Sequence, residues 1–233
     1  MKKIYQKFIA WLKNDKHEFA KGLCGEKIFI IFVIGSLFGC YYEMFLNLIV
    51  HYYRDGSIFW ETRRGVIYGP FSPIYGAGAA LMTYLLLRKK RPWYEIYGYG
   101  ALIGGGFEYL ISFLQETFVG TVSWNYSDYF LNINGRTTIP FMLVWGLGAI
   151  ILSYIVYPLI SKMVAKIPFN LAKLIYRILL IFLIIDMAIS WTALLRQTVR
   201  RAGYGPYTIV DKLYDHYYND ERLRKAFPNM VIK

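Results

Sequence analysis

Mainly apolar runs of about 20 residues recur along the chain, at roughly 28–50, 66–87, 96–118, 139–160 and 171–195. A helix rising 1.5 Å per residue needs about 20 residues to cross the roughly 30 Å hydrocarbon core of a bilayer. Charged residues make up 18% of the sequence, against about 25% in soluble domains. Together these observations imply an all-α fold: a polytopic membrane helix bundle with about five transmembrane helices. The membrane-embedded domain then covers residues 23–195. A basic segment, 1–22, precedes it and a charged tail, 196–233, follows.

In the first segment Phe8, Trp11 and Leu12 are spaced like an apolar helical stripe among lysines. That pattern predicts an interfacial amphipathic helix lying on an anionic leaflet, with a disordered basic tail as the alternative. The tail alternates charge with tyrosine and predicts a short amphipathic helix near 210–227. The formal net charge is +12, which in a soluble protein would suggest a nucleic-acid partner. Here the basic residues bracket apolar runs, so membrane lipids are the expected partner and nucleic acid is not. Basic residues of the N-terminal segment, the Arg88–Arg91 cluster and the fourth connection outnumber Arg54, Arg63, Arg64 and Arg136 on the alternate side. The expected setting is therefore the cell membrane, multi-pass, with a cytoplasmic N-terminus. Five spans would put Arg196, Arg200 and Arg201 on the disfavoured side, unless the Pro-rich second segment fails to cross.

Charges inside the spans carry the most information, since each costs about 2.5–3.5 kcal/mol at the bilayer centre on insertion scales. Glu43, Glu108 and Asp186 lie deep, and Glu116 lies near the end of the third span. Glu108 and Glu116 are separated by about 80° around a helix and about 12 Å along it, which suits a polar path entering from one side. Gly35 and Gly39 form a small-residue stripe that Glu43 continues, so that carboxylate should face a neighbouring helix. Gly100 and Gly104 make a second such stripe. No nucleophile or metal-ligand cluster accompanies the carboxylates, and His17, His51 and His216 are far apart. No catalytic set, metal site or cofactor is expected, although paired carboxylates leave acid–base chemistry open. Cys24 and Cys40 suggest neither a disulfide framework nor a metal pattern.

Two further features join the candidate substrate site. In Arg63-Arg64-Gly-Val-Ile-Tyr-Gly-Pro-Phe-Ser-Pro-Ile-Tyr75-Gly76, two prolines interrupt helical hydrogen bonding. Broken helices of this kind line cavities and substrate sites, although a simple kink is the alternative. Arg63 and Arg64 at its mouth could hold an anion. The loop 120–137 gathers Trp124, Asn125, Tyr126, Asn132, Asn134 and Arg136, a dense set of donors at the membrane surface. The expected binding residues are thus Glu43, Arg63, Arg64, Tyr75, Glu108, Glu116, Trp124, Asn125, Tyr126, Asn132, Asn134 and Arg136.

The blocks GPFSPIYGAG, EYLISFLQETFVGTVSWNYSDYFLNINGR and LLIFLIIDMAIS resemble, in order, the signature blocks of the ABC-transporter type IV (CmpB-like) family. The resemblance runs from about Ile28 to Trp191. It departs at Asn125, where the family usually has Asp, which questions any role needing charge there. The family name implies a permease, and with no Walker A pattern in this chain, any ATPase would be a separate subunit. Three functions follow: a transport or substrate-binding membrane subunit, an enzyme acting on a lipid-like substrate, or a regulatory or assembly subunit. For transport, five helices make a small path, so a homodimer or another partner is implied.

Overall fold

A computed structural model describes residues 2–13 and 18–232. Helix α1 (Lys2–Lys13) is followed by the long α2 (Gly25–Asp55), the short α3 (Pro73–Leu86) and α4 (Trp93–Val119). After the loop come α5 (Ile139–Ile151), a π-helical turn (Leu152–Val156) and α6 (Tyr157–Val164), which together form one continuous rod. Pro158 lacks the amide that an α-helix would use at that point, and the π turn just before it accommodates the missing bond. Helix α7 (Phe169–Arg201) crosses the whole bundle, and the tail ends in α8 (Ile209–Tyr217) and α9 (Asp220–Ala226).

Three stretches are long and apolar enough to cross a membrane: Gly25–Asp55, Ile139–Val164 and Phe169–Arg201. Their outer faces are what a lipid solvent would select. Ile181, Ile184 and Ile185 on α7 are 53–60% exposed, a contiguous apolar surface that water would not tolerate on a soluble monomer. Helix α4 has 27 residues, enough for the distance, but Glu95, Glu108 and Glu116 make it less apolar. The expected second span is not one helix. Residues 66–72 are irregular, and α3 has 14 residues, which cover about 21 Å of a core about 30 Å thick.

Ser72 N–H donates to the Ser36 carbonyl at 2.9 Å, and Ser36 lies well inside α2. The chain therefore leaves the end of α2, returns to the depth of Ser36 as irregular backbone, and becomes helical only from there. Helices α2 and α3 pack through the glycines: a Cβ on Gly35 would press on Ala79, and one on Gly76 would overlap the Phe32 carbonyl. Gly100 in α4 meets Ala149 of α5 in the same manner.

Two-residue strands β1 (Thr121–Val122) and β4 (Val231–Ile232) pair antiparallel, and β2 (Asn132–Ile133) pairs with β3 (Thr137–Thr138) across a turn. Asn134 and Gly135 take left-handed backbone in that turn, at φ 52° and 66°. A tail helix over 210–227 was expected; the Asn219 side chain instead caps the Arg222 amide at 3.0 Å and starts a second helix. At the opposite end, α1 meets the start of α7, where Asn170 donates to the Trp11 carbonyl at 2.8 Å. The N-terminal helix and the tail thus sit at opposite ends of the bundle.

Candidate functional site

The same local arrangement occurs twice. On α2, Gly39 lies one turn before Glu43, and a Cβ at Gly39 would overlap the root of the Tyr75 side chain of α3. The glycine admits the ring, and the Tyr75 hydroxyl comes within hydrogen-bonding reach of the Glu43 carboxylate. On α4, Gly104 lies one turn before Glu108, and a Cβ there would overlap Trp145 of α5. Trp145 in turn reaches the Glu108 carboxylate. The Tyr75 and Trp145 rings stand 6.1 Å apart between centroids. Two carboxylates on different helices are therefore linked through two neighbouring aromatic side chains.

The 120–137 loop closes this cluster from one side. Tyr126 donates its hydroxyl to Glu108 Oε1 at 3.0 Å, and Thr137 donates to Oε2 at 2.7 Å. Burial, with Glu108 beside it, pushes the Tyr126 phenol above its usual range, so it stays a neutral donor. Its ring packs on Phe141 at 4.9 Å. Glu116 pairs with Arg136 at 2.5 Å, and the Arg136 guanidinium lies over Tyr109 and Phe113. Glu116 thus anchors the loop to α4 while Glu108 faces the cluster.

The loop amides serve the loop itself. Asn125 Oδ1 accepts from the Ser127 amide and hydroxyl, at 3.0 and 2.7 Å. Asn132 donates to the Ser127 and Tyr129 carbonyls and accepts from the Gly135 amide, each at 3.0 Å. Asn134 donates to the Tyr109 hydroxyl, and Trp124 donates to the Arg136 carbonyl at 2.9 Å. A Cβ on Gly135 would collide with Ser127 Oγ, which is why the turn needs glycine there. Asn125 makes its two bonds as a neutral amide oxygen, so its local role needs no charge.

Arg63 and Arg64 diverge. Arg63 pairs with Glu61 and donates to Asn47, both at 2.7 Å, with Glu43 nearby. Arg64 turns to the tail and donates to the Ala226 carbonyl at 3.4 Å. Asp186, noted in the sequence only as an intramembrane charge, holds the broken segment. Its Oδ1 accepts from the Tyr68 amide at 3.1 Å, and Ser190 accepts from the Ile67 amide at 2.8 Å. These two α7 side chains supply acceptors to amides that the irregular backbone leaves without helical partners. Trp145, Thr137 and Ser190 were not foreseen; only a Thr or Ser beside a loop or on an apolar helix hinted at two of them.

Among the described residues, no group of three or more His, Cys, Asp or Glu side chains could hold a metal ion. His17 lies outside the described residues. Both cysteines are free.

No curated protein and no solved structure matches this chain. A family model described as "Putative ABC-transporter type IV" matches residues 30–191, which include α3, α4, both carboxylates and the loop. The chain belongs to this family.

Proposed function

We propose that this family member is the permease or substrate-binding membrane subunit of a transport system, driven by a separate ATPase subunit. Its polar site is the cluster of Glu43, Tyr75, Trp145, Glu108 and Tyr126. The observation that carries this reading is the doubled arrangement of glycine, aromatic ring and carboxylate on α2–α3 and α4–α5, beside a broken helix. Intramembrane carboxylates are costly and mark pathways more often than ornament, and irregular backbone at this depth suits a wet cavity. The donors facing the two carboxylates are neutral, and Arg63 is engaged by Glu61, so a cation or polar group is the favoured cargo. The N-terminal end, with its basic residues, is assigned to the cytoplasm, which puts the tail outside. Helix α1 is then the interfacial helix, and the irregular segment with α3 makes one crossing of which only the α3 half is helical. The small bundle calls for a second copy or a partner to complete a path.

Native mass spectrometry of the tagged chain, gently extracted from its own membranes, tests this. The expected result is a co-purifying ATPase whose turnover falls in Glu43→Gln or Glu108→Gln while the complex stays intact. A chain that carries only a lipid or small molecule, with no ATPase, would overturn the permease reading. Weight would then move to a stand-alone binding protein or a lipid-directed enzyme.

A further inference from the structure

We propose that the tail forms a second binding site, separate from the intramembrane cluster, for an anionic headgroup carried on an apolar body. A cavity of about 350 Å³ lies between the end of α7 and α9, within the size range of small-molecule sites. Its apolar lining includes Leu194, Leu223 and Phe227, each no more than 7% exposed.

The charges around it are unequally matched. Asp220 is held by Arg200 at 2.7 Å and by Gln197 at 3.0 Å. Glu221 is held by Lys225 at 2.7 Å. Arg201 and Arg224 also line the cavity; they act through space on Asp220 and Glu221, yet neither makes a hydrogen bond or ion pair with a described residue. The acidic groups are therefore already neutralised, and two guanidinium groups are left over beside an apolar floor. A phosphate or carboxylate matches the fork geometry of arginine, and an apolar body would cover the leucines and the phenylalanine. A cation or a purely polar ligand would meet the wrong charge or an unsuitable floor.

Position adds a role. Arg201 is the last residue of α7, so the cavity opens where a spanning helix leaves the bilayer. Leu223 and Phe227 also belong to the core cluster that contains Ile67 of the broken segment. Ala226 accepts from Arg64, and Tyr218 bonds Tyr68 at 3.0 Å. A ligand clamped between Arg201 and Arg224 would hold α9 on α7 and so hold the mouth of the broken segment closed. An anionic phospholipid of the adjoining leaflet offers both the headgroup and the apolar body.

The test uses the full-length protein, delipidated in detergent, with thermal melting followed against added short-chain phosphatidylglycerol, phosphatidylcholine, glycerol 3-phosphate or inorganic phosphate. Stabilisation by phosphatidylglycerol, and not by glycerol 3-phosphate or inorganic phosphate, is expected; equal stabilisation by glycerol 3-phosphate would show that the apolar floor plays no part and would overturn the proposed ligand class. Arg201→Gln and Arg224→Gln should each weaken the apparent affinity about ten-fold, the size of one charged hydrogen-bonding contact. Lys212→Gln, a basic tail residue outside the cavity, should leave it unchanged. The lysine variants at 201 and 224 keep the charge and guard against misfolding; they should bind more weakly than the native chain but better than the glutamine variants. Equal response to phosphatidylcholine and phosphatidylglycerol overturns the site, as does a loss in Lys212→Gln as large as in the arginine variants.

Discussion

Gly39→Ala puts the central packing to a quantitative test. The added Cβ would overlap Cγ, Cβ and Cδ2 of Tyr75. These atoms are the root of the side chain, so rotating the ring tip gives no relief and the α3 backbone must retreat. That retreat would break the close packing at the adjacent Gly76, which sits against the Phe32 carbonyl. Overpacking of this type costs about 1–3 kcal/mol, while alanine in place of a helical glycine returns about 1 kcal/mol. The net effect is a loss of up to about 2 kcal/mol. Gly106 on α4 has open space around its Cβ position, so Gly106→Ala should be neutral or stabilising by up to about 1 kcal/mol. For a chain of this size about 2–4 °C accompanies each kcal/mol, so melting in detergent should separate the two variants by several degrees. Because Tyr75 is displaced from Glu43, Gly39→Ala should also, on the permease reading proposed above, lower ATP turnover by the partner subunit. A Gly39→Ala protein that melts at or above Gly106→Ala would refute the close approach of α2 and α3.

Glu108→Ala should release the 120–137 loop, since Tyr126 and Thr137 lose their acceptor and each orphaned donor costs about 1–3 kcal/mol. Amide exchange in 123–138 should rise at least about ten-fold, with no rise in α7; unchanged loop protection would contradict the hydrogen bonds. Asp186→Ala should raise exchange at Tyr68 and its neighbours, and a silent substitution would mean the broken segment is held elsewhere. For the tail, the Arg196 guanidinium holds Asp215 below the usual carboxylate range, and Arg200 does the same for Asp220. A carboxylate lowered on docking stabilises the docked state above its free pKa of about 3.9. That contribution is lost as pH falls through the lowered value. Tail protection should therefore be flat from neutral pH to about 5 and fall away only below about 4. A transition well above about pH 5 would contradict that assignment.

Parts of this architecture were readable from residue spacing. Glycines four apart on α2 and α4 mark where a backbone is approached closely, and the carboxylate one turn further must then face the approaching helix. The interruption near Pro70 and Pro73 was equally plain, because a missing amide is a property of the residue itself. Hydropathy could not separate a full span from irregular backbone followed by a half-length helix, since both bury the same residues. Asn125 and Asn132 look like free donors in sequence, and only the folded loop reveals that their bonds are already made. The partners of Asp186 and Glu108 come from distant segments, and no local pattern encodes the meeting of Ser190 with the Ile67 amide. The tail lies beyond the matched family region, and its docking depends on contacts that become visible only with α7 in place.

The tail also separates two jobs that charge does in this molecule. Arg196 is 7% exposed and pairs with Asp215 at 2.7 Å, and Arg200 bridges Asp215 and Asp220. At the other end, Lys89, Lys90, Lys162 and Lys166 make no ion pair with a described residue. Orientation is set during insertion by counts of Lys and Arg near the spans, with Asp and Glu contributing little. On that rule the unpaired lysines decide which way the bundle faces, and the tail's aspartates act only afterwards, by docking. Asp215→Asn with Asp220→Asn should therefore release the tail to proteolysis yet leave cysteine accessibility in the loops unchanged. Replacing Lys89, Lys90, Lys162 and Lys166 by Gln should instead produce a measurable inverted fraction. An aspartate variant that inverts would show that the ion pairs already exist when the bundle chooses its direction, and the two jobs would be one.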